Sequence, residues 1–261
     1  MRTILTYDQT FEGFLCCIFQ CYEQKLKDVR IVGNSLNSEN FFDDLHDVTT
    51  EAHKARRVWL GLDQSFSKKG KRALYKAFLS ERPEIENILL HYIRRQLKSS
   101  EHIDSDFTDP KILHIAKVVK MVDREKHRMD AFVRFRLTRD GLYFATVEPD
   151  FNVLPLNAEH FKKRYADQRW LIYDLKRNYG VYYNLEEVAY VQLHLSKNVT
   201  DHTKQGLYVA PEELAFQELW KNYFNSTNIE SRKNMRLHVQ HVPKRYWKYL
   251  SEKLPDFKNK K

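Results

Sequence analysis

The dominant hydrophobic period of this chain changes near residue 131, from helical to alternating, and that change sets the fold class. Before it, apolar residues recur at helical spacing: Phe11, Phe14, Leu15, Ile18, Phe19 and Tyr22, then Ala52, Ala55, Val58, Trp59 and Leu62, then Ile112, Ile115, Val118, Val119 and Val122. Thr10 and Ser67 stand where helix N-caps belong, the second opening a helix to about Leu79. Pro83 and Asp109-Pro110 mark further starts, for helices reaching about Leu97 and Arg128. After the change, Ala131–Leu137 alternates, which predicts a strand with Phe132, Arg134 and Arg136 on one face. Thr138-Arg139-Asp140-Gly141 reads as a hairpin turn, and Leu142–Val147 as the returning strand. Trp170–Asp174 and Val181–Tyr183 form a second predicted hairpin about Arg177-Asn178-Tyr179-Gly180, followed by a strand over Val188–Leu195.

Helices first and hairpin-built strands later predict an α+β fold: an N-terminal helical part, then an antiparallel sheet with packed helices. Short strands over Arg2–Tyr7 and Val29–Val32 flank the first helix, and residues 34–48 read as a polar loop. Further helices are predicted over Asn157–Tyr165, over Pro211–Phe224 with Leu219 facing inward, and over Pro243–Leu250. With no Gly/Ser-rich linker, residues 1–261 read as one domain, divisible at most into a mainly helical 1–108 and a sheet-bearing 109–261.

Composition excludes several classes. Aromatics at 13% and only 7 Gly rule out a disordered or collagenous chain, and 3 Cys rule out a disulfide scaffold. No apolar run approaches a membrane span and no signal peptide is evident, so a cytoplasmic protein without a membrane partner is expected. Cys16, Cys17 and Cys21 share one apolar helix and read as core. His238-x-x-His241 has metal-like spacing but lies in a basic segment, so no metal is expected there. Phosphate-binding Gly loops, His-Glu-x-x-His, the nucleophile elbow and the radical-SAM cysteine pattern are absent, and no cofactor is expected.

The net charge of +9 is unevenly placed. Residues 111–139 hold nine basic and three acidic side chains, residues 228–261 hold ten and three, and the remainder holds 25 and 29. Two basic blocks on a mildly acidic body point to a polyanion, the alternative being solvated faces and a basic tail. The first block offers Arg128, Arg134 and Arg136 as phosphate contacts. The second offers Arg232, Arg236, Lys244 and Arg245, with Lys248 on the same side of the predicted helix and Asn234 or Tyr246 as base readers. One enzymatic pattern competes. Pro149-Asp150, with Asp174-Leu175-Lys176 further on, has the form of a metal-dependent nuclease site, to which Glu148 adds a further ligand. Its alternative has Asp150 capping a turn and Asp174 paired with Arg177.

Several segments together carry a resemblance. They include Tyr7-Asp8-x-Thr10-Phe11-Glu12-Gly13-Phe14, Arg124-Glu125-x-His127-Arg128-Met129 and Glu148-Pro149-Asp150-x-Asn152-Val153-Leu154-Pro155. Gln168-x-Trp170-x-Ile172-Tyr173-Asp174, Arg232-x-Asn234 and Pro243-x-x-Tyr246-Trp247 continue the series. The chain resembles a bacterial family described as DNA-metabolism or DNA-repair proteins. Its members are associated with a radical-SAM protein similar to a spore-photoproduct lyase, and in some bacteria a similar domain is fused to a uracil-DNA-glycosylase-like domain. The resemblance implies DNA and a radical-SAM protein as partners and assigns no catalytic residue. No fused glycosylase domain is expected, since the chain ends soon after Trp247.

The leading expectation is therefore a DNA-binding accessory protein without catalytic activity of its own. A nuclease-like enzyme using Asp150, Asp174 and Lys176 is the second, and a protein-interaction module for the partner enzyme the third.

Overall fold

The computed structural model describes residues 2–33, 44–193 and 239–253, together with Leu219. The chain divides into two compact units, Met1–Arg124 and Glu125–Lys261. The fold is α+β, as the change of period requires.

In the first unit, β1 (Thr3–Tyr7), α1 (Phe11–Glu23) and β2 (Val29–Gly33) form a strand–helix–strand motif, with β1 and β2 parallel. Thr10 caps α1 by accepting from the Gly13 N–H at 2.9 Å. Helix α1 buries Phe14, Leu15, Ile18 and all three cysteines, and burial pushes the Cys21 thiol up to about 11. The cysteines are core, not reactive groups. β3 (Asp44–Asp47) pairs with the other edge of β1, also in parallel, so part of the expected 34–48 loop is strand. The sequence Asp-Leu-His-Asp hides it, because an edge strand left half-exposed needs no apolar alternation.

Helices α2 (Ala52–Gly61), α3 (Lys68–Phe78) and α4 (Ile85–Gln96) follow. Ser67 caps α3 through the Gly70 N–H at 2.9 Å, as its position predicts. α5 (Pro110–Phe132) starts on Asp109, whose carboxylate accepts from the Lys111 N–H at 2.8 Å. The same carboxylate takes Arg95 at 2.7 Å and His91 at 2.8 Å. Burial works against its charge, yet His91 and the helix N–H groups hold its pKa down to about 2. A depressed carboxyl pKa stabilises above the unfolded value near 4, and that contribution fades as pH falls toward 2. Urea titrations from pH 5 to pH 2 are therefore expected to show a steep loss of stability that is flatter in Asp109→Asn, which keeps a capping oxygen but cannot titrate.

The second unit is built on a five-stranded sheet, in the order β4 (Arg136–Leu137), β5 (Tyr143–Val147), β6 (Trp170–Asp174), β7 (Tyr179–Tyr183) and β8 (Val188–Val191). Two expectations are corrected here. The helix α5 runs on to Phe132, burying Met129, so the predicted strand shrinks to β4. Phe132 and Arg134 thus leave the strand, and the row of Phe132, Arg134 and Arg136 on one face does not form. The sheet is also mixed rather than wholly antiparallel: β5 and β6 pair in parallel, with Val147 opposite Asp174. The cause is α6 (Leu154–Arg164), a helical crossover where a hairpin would have reversed the chain. The expected hairpins at β4–β5 and β6–β7 are present, the first closing on Gly141 at φ 75°.

The closing helix expected over Pro243–Leu250 is instead a 3₁₀ segment, Lys244–Tyr249, which buries Tyr246 and Tyr249. Of the helix expected over Pro211–Phe224, only Leu219 is described, and it is exposed rather than inward. No helix among the described residues is long and apolar enough to cross a membrane.

Candidate phosphate-binding cleft

The parallel pairing of β5 and β6 decides where the chemistry lies. Both strands end at the same edge of the sheet, so the segments Glu148-Pro149-Asp150 and Leu175-Lys176-Arg177 leave side by side. Ligand sites in sheets with parallel strands form beyond these carboxyl ends. Here they border a cleft of about 590 Å³ lined by Glu148, Pro149, Asp150, Lys176, Lys244, Arg245 and Lys248. Four cations and two carboxylates thus share one concavity. Asp150 and Lys176 from the nuclease-like pattern meet Lys244 and Arg245 of the second basic block.

Arg177 ties the two loops together. Its guanidinium donates to the Pro149 carbonyl at 3.1 Å and the Asp150 carbonyl at 3.2 Å, and it pairs with Asp174 at 2.8 Å. Lys176 Nζ lies 3.3 Å from the Asp150 carbonyl oxygen, a neutral partner that leaves the ammonium charge unneutralised.

Asp174 is fully buried. Besides Arg177, it accepts the N–H groups of Lys176 at 2.9 Å and Arg177 at 3.2 Å. Burial pushes its pKa above the usual carboxylate range despite the Arg177 pair. It does not line the cleft, and its oxygens are already committed. The expected sharing of a metal ion by Asp150 and Asp174 is therefore not what the geometry provides. Asp174 instead fixes the turn after β6. Among the described residues no three His, Cys, Asp or Glu side chains gather as a metal centre.

The floor beneath Arg245 is Glu125, whose side chain is only 2% exposed. Its carboxylate accepts from the Tyr246 hydroxyl and from the Asp150 N–H at 2.9 Å. It also lies 3.3 Å from Arg245 and 3.6 Å from Arg128. Arg245 continues outward to Asp150 at 2.6 Å, and its guanidinium lies 4.5 Å from the Tyr246 ring centre. Glu125 and the ring hold this planar cation from beneath, so it loses little freedom on exchanging Asp150 for another anion. At the rim, Lys248 pairs with Glu148 at 2.5 Å. Lys244 is exposed and has no partner among the described residues.

Several expected contacts move inward or elsewhere. Tyr246 is only 1% exposed and packs its ring 5.4 Å from that of Phe132, so base stacking is closed to it. Burial and the Glu125 hydrogen bond raise its hydroxyl pKa. Arg134 donates to the buried Glu252 at 2.8 and 3.3 Å, which makes it an internal brace rather than a free phosphate contact. Arg128 is engaged by Glu125, and Arg136 sits half-buried on β4, outside the cleft lining. Arg232, Asn234 and Arg236 lie outside the described residues, as does His238.

A family match covers residues 83–252, most of the chain. The protein belongs to the DUF4130 family, a domain of unknown function. The matched span contains the whole cleft lining. A search of curated proteins returns no match. Among solved structures, a pGpG-specific phosphodiesterase, PggH from Vibrio cholerae, is similar over 69% of this chain and 80% of its own, at 12% identity and a TM-score of 0.34. At that score the likeness carries no argument.

Proposed function

We propose that the second unit of this DUF4130 protein binds DNA by seating backbone phosphate in the cleft between the β5 and β6 loops and the Lys244–Tyr249 segment. The observation that supports it is the clustering of Lys176, Lys244, Arg245 and Lys248 at the carboxyl ends of two parallel strands. Phosphate neutralisation by such cations is sequence-independent and salt-sensitive, as an accessory role needs. Arg128 acts from beneath by holding Glu125, and Arg134 braces the chain against Glu252. In this reading the protein presents DNA to a radical-SAM repair or modification enzyme. That partner rests on the resemblance of the sequence.

The test is the effect of Asp150→Asn on DNA affinity, read by anisotropy at low salt. Asp150 occupies Arg245 as a phosphate would. Removing its charge releases the guanidinium, and affinity is expected to rise roughly two- to fivefold, the scale of an exposed ion pair. A fall in affinity with loss of metal-dependent cleavage would contradict the proposal and favour a nuclease.

A further inference from the structure

The cleft contains more than a phosphate track requires. A groove that follows a nucleic-acid backbone repeats its cations along an open path, because each successive phosphate needs one. Here the cations surround a single concavity, and two carboxylates stand among them. Asp150 is about half exposed and Glu148 38% exposed at the rim. A strand running on through the cleft would bring further phosphates against those carboxylates, and like charges held close oppose binding. A strand that ends in the cleft brings one phosphate group and nothing beyond it.

Charge points the same way. Asp150 already balances Arg245, and Glu148 balances Lys248. Lys176 and Lys244 remain without a carboxylate partner among the described residues, an excess of two positive charges. An internal phosphodiester carries one negative charge, whereas a terminal phosphomonoester carries about 1.5 to 2 at pH 7 and three acceptor oxygens. The monoester matches the excess. Its extra oxygen gives Lys244 and Lys176 a partner while the guanidinium of Arg245, held from below by Glu125, takes the other two. The volume of about 590 Å³ falls within the range that encloses a small molecule, and suits one terminal nucleotide.

We infer that the cleft is an end-recognition pocket, taking the terminal phosphomonoester of a nucleic-acid strand in preference to an internal phosphodiester. This inference rests on the nucleic-acid reading above and narrows it. The 5′ and 3′ ends offer the same group, so the test carries both. Four single-stranded oligonucleotides of one sequence are compared by competition anisotropy: 5′-phosphorylated, 3′-phosphorylated, phosphorylated at neither end, and circular. One or both phosphorylated ends should compete about tenfold better than the unphosphorylated strand, and the circle should be no better than the latter. In Lys244→Ala/Lys176→Ala the preference should shrink to less than about threefold. Equal competition by all four strands, with salt-dependent binding intact, would overturn end recognition and leave the DNA-binding reading standing. No salt-dependent binding by any strand would overturn both.

Discussion

Glu125→Gln is expected to destabilise the second unit by about 3 to 5 kcal/mol, the largest effect of any single substitution discussed for this protein. Glu125 is almost fully buried, and its carboxylate is where the Tyr246 hydroxyl, the Asp150 N–H, Arg128 and Arg245 converge. The amide that replaces it brings two N–H donors into a place where all the partners are donors. Arg128, a side chain only 20% exposed, then loses the Glu125 charge, and Arg245 keeps Asp150 alone. The half-exposed carboxylate of Glu148, paired with Lys248 at the rim, serves as the comparison. Glu148→Gln should change stability by less than about 1 kcal/mol. Urea unfolding followed by tryptophan fluorescence reads both, since Trp170 lies buried in β6 of the same unit. Similar small losses for the two variants would mean that Glu125 is not the support on which Arg245 is mounted.

Replacing Lys176, Lys244 and Lys248 together by Gln should lower DNA affinity on the order of a hundredfold at low salt. Glutamine keeps most of each aliphatic stem, so the change is chiefly one of charge. Stability should hardly respond. Lys244 is exposed, Lys248 makes a surface ion pair, and Lys176 meets only a carbonyl at 3.3 Å. Loss of binding without loss of fold would separate these side chains from Arg134, which holds Glu252 and whose removal should affect stability instead.

How much of this was legible in the sequence varies with the range of the interactions. Caps and turns were legible, because Thr10, Ser67 and the Thr138–Gly141 hairpin act within three or four residues. The pairing of Asp174 with Arg177 was legible as an alternative for the same reason. The strand over Ala131–Leu137 is cut short because Phe132 fits both periods, and burial of Met129 carries the helix on to Phe132. β3 was missed because its residues are polar on an exposed edge. The cleft was half visible: both of its halves were marked, but as separate features with separate chemistry. What joins them is the parallel register of β5 and β6, which depends on the α6 crossover. The role of Glu125 has no local signature, because it stands as one acid within a basic run. Its partner Arg245 is 120 residues away, and no local pattern announces such a contact.

The most direct measurement is the slope of log K against log salt for DNA binding, taken for the wild-type protein and for the triple glutamine variant. Each phosphate contact on duplex DNA contributes about 0.9 to that slope. If the cleft cations carry the binding of one phosphate group, the slope should become shallower by about 1 to 2 in the variant, with weaker affinity at every salt concentration. A variant with the wild-type slope and affinity would contradict the account, and would mean that whatever binds DNA in this chain lies outside the cleft.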